Sequence, residues 1–106
     1  MATSEPMTAP SDATTDLVAI FSLLSDETRL AIVRELAACR LGESEPRLSF
    51  SALRTRVGID DAGRFNYHLG RLRGSLVEKG EDGYGLTETG AVVGSMLVES
   101  PPESVA

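Results

Sequence analysis

Apolar residues at Leu17, Ile20, Phe21 and Leu24 recur at three- and four-residue intervals, which predicts a first helix over Asp16–Leu24. Ser25 stands as an N-cap, with Asp26 and Glu27 in the first turn where the helix dipole favours acids. The second helix then runs to about Cys39 and turns Leu30, Val33, Leu36 and Ala37 inward. Gly42–Pro46 is a polar loop that breaks it. Leu48–Phe50 reads as short and extended. Ser51 caps a third helix that faces Leu53 and Val57 inward and ends at Gly58, a residue tolerant of positive φ. Asp60 caps a fourth, in which Phe65, Leu69, Leu72 and Leu76 fall at i, i+4, i+7 and i+11. Leu76–Lys79 and Tyr84–Leu86 read as strands joined by the turn Gly80-Glu81-Asp82-Gly83. Thr87 caps a last helix from Glu88 to about Glu99, with Val92, Val93, Met96 and Leu97 apolar.

The expected fold is therefore mainly α with a small β-hairpin, an α+β chain built as a single domain over residues 16–99. Residues 1–15 are rich in Ser, Thr, Ala and Pro, and they and residues 100–106 lack apolar periodicity; both are expected to be disordered tails. Two short helices joined at Gly58 and followed by a hairpin make the winged helix-turn-helix pattern. Such a unit works by laying its second helix in the major groove of double-stranded DNA.

That helix needs one apolar face and one face suited to base edges. With Phe65 at zero and 100° per residue, Leu69 and Leu72 lie within about 40° of it. Gly63, Arg64, Tyr67, Gly70, Arg71 and Gly74 fall opposite, Asn66 and Arg73 at one edge and His68 at the other. Arg can bond guanine bidentately, Asn adenine, and a Tyr hydroxyl a phosphate. The expected DNA contacts are thus Arg64, Asn66, Tyr67, His68, Arg71 and Arg73, with Arg54 from the preceding helix and Lys79 from the first strand. Each has a plainer alternative. The arginines are also ordinary solvated charges, Tyr67 can pack on a neighbour, and His68 suits a hydrogen bond at the core edge. The glycines of that face suggest close approach to another surface, either DNA or a packed helix.

Charge first argues against DNA, because the net charge is −6. Its distribution argues the other way. From Arg47 to Lys79 seven basic residues stand against three acidic, a net of +4, while the remainder holds three basic and thirteen acidic, a net of −10. A single Lys among ten basic residues, with excess acid, is the composition of proteins from salt-loving cells, where acid serves solubility.

Further classes recede on composition. There is no apolar run of the ~20 residues a membrane span needs, and no basic-then-apolar leader, so a cytoplasmic protein is expected. Cys39 has no second cysteine to pair with and reads as a small buried residue. One Cys and one His do not make a normal zinc site, so neither metal nor cofactor is expected. They also lie in separate elements without a third partner, no phosphate-binding loop is present, and no enzyme is expected.

The sequence resembles the ArsR-type winged-helix regulators. Leu24–Leu36, LSDETRLAIVREL, is similar to that family's second-helix signature. Tyr67-His68-Leu69 with Leu72 resembles the end of its recognition helix, and Tyr84-Gly85-Leu86-Thr87 with Gly90 its exit from the wing. The likeness spans about Leu17 to Leu97 and looks closest to the acidic regulators of salt-loving archaea. It implies a homodimer joined through the terminal helices, and places Asn66 and Tyr67 in base-contacting slots with Arg64 and Arg71 beside them. Leu17, Ile20, Phe21, Val92, Val93, Met96 and Leu97 are the expected dimer contacts, being more apolar surface than so small a chain easily buries alone. The ligand sets by which many family members sense metals are missing here. Acidic residues at Asp60, Asp61, Glu81 and Asp82 stand where phosphate contacts are expected. They favour a competing reading, a protein-interaction module that uses the same fold without DNA.

Overall fold

The computed structural model describes residues 12–42 and 47–98, with side chains from Leu17 to Arg40 and Arg47 to Val98. Five helices and one hairpin follow in the order α1 (Asp12–Leu24), α2 (Glu27–Gly42), α3 (Phe50–Val57), α4 (Ala62–Leu72), β1 (Val77–Gly80), β2 (Gly83–Leu86) and α5 (Glu88–Leu97). The first helix starts four residues before the expected Asp16, inside the segment read as a tail. The remaining tail residues, 1–11 and 100–106, together with Glu99, the expected end of the last helix, and most of the Gly42–Pro46 loop lie outside the described residues.

α2 is the centre. It packs against the other four helices and against β2. A helix surrounded in this way buries residues around most of its girth. Thr28, Ile32, Val33, Leu36, Ala37 and Cys39 are all buried, whereas Leu30, expected inward, is only half-buried. The rest of the core comes from Leu23, Leu53, Phe65, Leu69, Leu72, Leu76, Val77, Tyr84 and Leu86. Phe65 is fully buried and meets the half-buried Phe50 edge to face, with centroids 5.2 Å apart.

Three of the four expected N-caps sit one or two residues away. α2 is capped by Asp26, whose Oδ1 accepts from Thr28 N at 2.8 Å and Arg29 N at 3.1 Å; Ser25 instead donates to Ser22 O. α3 is capped by Ser49, not Ser51, and α4 by Asp61, not Asp60. Thr87 caps α5 as expected, its hydroxyl accepting from Gly90 N at 2.9 Å. Each cap satisfies a backbone donor that the first helical turn leaves without a partner.

Gly58 ends α3 at φ 85°, the left-handed region the turn into α4 requires. The hairpin pairs Val77 with Leu86, Glu78 with Gly85, Lys79 with Tyr84 and Gly80 with Gly83, leaving Glu81-Asp82 at its tip. Leu48 exchanges two backbone hydrogen bonds with Tyr84 on the outer edge of β2, at 2.9 and 2.8 Å. This ties the entry to α3 to the hairpin. α5 docks through glycines. A Cβ at Gly90 would run into Leu76 O, and one at Gly94 would come within 2.8 Å of Ala37 Cβ.

Candidate nucleic-acid interface

α4 is the most strongly amphipathic element. Phe65, His68, Leu69 and Leu72 are buried, while Arg64, Asn66, Tyr67, Gly70 and Arg71 are exposed. Gly58 and the short Ile59–Asp61 link hold its first turn beside the end of α3. The backbone of that link is pinned from below by Arg54, whose Nη1 donates to Ile59 O at 3.2 Å and Asp60 O at 2.7 Å. Arg54, expected at DNA, is therefore spent on the turn that aims α4.

His68 also leaves the outer face. It is buried, with Nδ1 3.0 Å from Arg29 Nη1 and 3.7 Å from Asp26 Oδ1. A guanidinium only donates, so Nδ1 is the acceptor in the shorter contact. Asp26 is held below the ordinary carboxylate range chiefly by the backbone N–H of Arg29, with Thr28 N–H adding to it and burial opposing. Arg29 Nε also donates to Leu23 O at 2.7 Å, so one side chain fastens α1, α2 and α4 together.

The described basic residues divide into two sets. Arg29 and Arg54 bond inward, Arg47 pairs with Glu78 at 2.7 Å, and Arg56 lies 4.0 Å from Glu35. Arg34, Arg40, Arg64, Arg71, Arg73 and Lys79 are exposed and form no ion pair among the described residues. Four of those six lie on α4, at its C-cap or on β1. Arg73 and Lys79 both approach the ring of Tyr84, each 5.9 Å from its centroid. Arg47 lies across the opposite face of the hairpin, where a Cβ at Gly85 would come within 3.1 Å of its side chain.

Among the described residues the glycines of the outer face have little packed against them, a Cβ at Gly63 meeting only Asp61 Oδ1, at 3.4 Å. A Cβ at Gly70 would meet nothing within 4 Å, and Gly74 serves a turn at φ 91°. Tyr67 is 59% exposed and lies edge-on to His68, with centroids 5.1 Å apart.

Of the seven residues expected at a dimer contact, Leu17, Phe21, Val92 and Met96 are exposed. Ile20, Val93 and Leu97 pack against the core of their own chain and are partly withdrawn. Val18, which the helical spacing passed over, is 65% exposed and joins the exposed set on α1. Among the described residues no group of His, Cys, Asp and Glu gathers as a metal site, and no helix is long and apolar enough to cross a membrane.

The chain belongs to the family described as a domain of unknown function (DUF7347), whose model matches residues 18–97. That span runs from within α1 to the last residue of α5, so the family model covers the second half of α1 and every later element. No curated protein and no solved structure matches the chain.

Proposed function

We propose that this protein is a winged helix-turn-helix transcription regulator of the ArsR type, reading double-stranded DNA with α4 in the major groove. α3, the Gly58 turn and α4 are the helix-turn-helix, and β1–β2 the wing. The observation that carries the reading is the division of the basic residues. Those bonded inward lie mainly on α2 and α3, while Arg64 and Arg71 on α4 stay exposed beside Asn66 and Tyr67. Arg and Asn are the side chains whose donors and acceptors match guanine and adenine edges. Nothing in the site suggests catalysis, and a cytoplasmic, non-enzymatic role follows from the same reading.

Leu17, Val18 and Phe21 on α1 and Val92 and Met96 on α5 supply the surface for a homodimer, which would place two copies of α4 on half-sites about 34 Å apart. The acidic balance outside the central segment fits a protein adapted to high salt. The exposed acids Glu81 and Asp82 at the hairpin tip favour the second reading, an interaction module without DNA. Selection of bound fragments from genomic DNA, followed by titration across KCl concentrations, separates the two. Retention of a defined fragment supports the regulator, and the absence of any retained fragment supports the interaction module.

A further inference from the structure

Resting on the DNA-binding reading, we propose that Arg73 and Lys79 together seat one backbone phosphate at the base of the hairpin, so that the hairpin meets DNA with its base and not its tip. Strand alternation sets up this site. Lys79 and its cross-strand partner Tyr84 lie on the face that Val77 and Leu86 turn to the core. Arg73 reaches the same ring from the end of α4, because Arg73 bridges to Val77 through the tight turn at Gly74. Two cations thus converge on one aromatic ring, each held by its electron-rich face at 5.9 Å from the centroid.

The nearest strand carboxylate cannot neutralise them. Glu78 alternates to the other face and is already paired with Arg47 at 2.7 Å. Neither Arg73 nor Lys79 forms an ion pair among the described residues, and both are exposed. Two like charges gathered without a counter-ion, beside the exposed face of α4, suit a bound anion. A phosphate flanking the groove that α4 occupies is the anion this position offers.

The tip has the opposite character. Glu81 lies two residues beyond Lys79, about 7 Å along the strand, and Asp82 follows it. Both repel a phosphate backbone. A hairpin cationic at its base and anionic at its tip approaches the duplex with the tip tilted away.

The test is a salt titration on a labelled mixed-sequence duplex, reading the slope of log affinity against log salt. Wild type is compared with Arg73→Ala, Lys79→Ala, their double variant, and Arg64→Ala/Arg71→Ala, with melting curves confirming that each is folded. A phosphate shared by both residues predicts that the double variant lowers the slope by about 0.9 per protomer bound, one phosphate contact each. A fall of about 1.8 per protomer bound means two separate phosphates and overturns the shared seat. Glu81→Gln/Asp82→Asn should raise affinity at low salt, and no rise overturns the tilted tip. Normal binding by the hairpin-base variants with weakened Arg64→Ala/Arg71→Ala discards the seat and leaves the α4 reading standing. No duplex binding by wild type removes both. A second arm compares inorganic phosphate with chloride at equal ionic strength. Extra displacement by phosphate that disappears in the double variant supports the seat, because the free anion then competes with the duplex for it, and equal extra displacement in the double variant counts against it.

Discussion

Arg29 on α2 and His68 on α4 are joined Nη1 to Nδ1 at 3.0 Å, across thirty-nine residues of sequence. The bond locks the helix that carries the exposed Arg64, Asn66, Tyr67 and Arg71 to the central helix. His68→Ala leaves an Arg29 donor unmatched in a part-buried setting, at a cost of about 1–3 kcal/mol. Gln at position 68 offers an amide oxygen for the same guanidinium and should recover part of that loss. Thermal melts of both variants check the order wild type, Gln, Ala. Equal melting temperatures for Gln and Ala would show that the ring packs without the bond contributing.

Asp26 makes stability depend on acid pH. Its folded value is lowered from the ordinary 3.8, led by the Arg29 N–H bond. A carboxyl with a lowered folded value stabilises the fold fully above its unfolded value, and that contribution is lost as pH falls through the folded one. Asp26→Asn keeps an acceptor at the cap but does not titrate. Wild type should exceed Asp26→Asn in stability near neutrality, and the gap should close as pH falls below 3.8. Acid unfolding curves of the pair measure this.

α5 sits where Gly94 allows it. A Cβ there would stand 2.8 Å from Ala37 Cβ and 3.2 Å from Leu86 Cδ1. Gly94→Val should overpack the contact and cost about 1–3 kcal/mol. Ala37→Gly makes room, so the double variant should lose less than the two single losses combined, a coupling that a double-mutant cycle in denaturant reads directly. Strict additivity would mean that α5 shifts away instead.

Phe21 is 68% exposed and Met96 65%, on the first and last helices. Under the dimer proposal, Phe21→Glu should give a monomer by sedimentation at a concentration where wild type is dimeric. Its melting temperature should then lose the dependence on protein concentration that assembly produces. A wild-type monomer at micromolar concentration would remove the dimer and leave these residues without an occupant.

Much of the fold was legible because local signals agreed. The spacing of Phe65, Leu69 and Leu72, the glycine at 58, the Gly80–Gly83 turn and the Thr87 cap each mark an element boundary or face by local chemistry. What escaped depended on partners distant in sequence. Ser49 caps α3 because Leu48 is already paired with Tyr84, and Arg54 takes the Asp60 carbonyl just before the true cap at Asp61. Ile32 is fully buried because α2 is covered on several sides, so a single inward stripe understates it. The same limit applied to charge. Arg47 and Arg56 contribute to the basic block, yet Glu78 and Glu35 engage them through the fold. His68 sat at the boundary of two faces, and Arg29 settled which one it joined.

The central claim is that the outer face of α4 binds DNA. It is tested most directly by titrating wild type, Arg64→Ala and Arg71→Ala against one duplex selected from genomic DNA, at a fixed KCl concentration where wild type binds. Both side chains are exposed, so both variants should melt as wild type does. Each should weaken binding by about 1–3 kcal/mol if it loses a bidentate base contact. Wild-type affinity in both variants on that duplex would contradict the account and move the function to another surface.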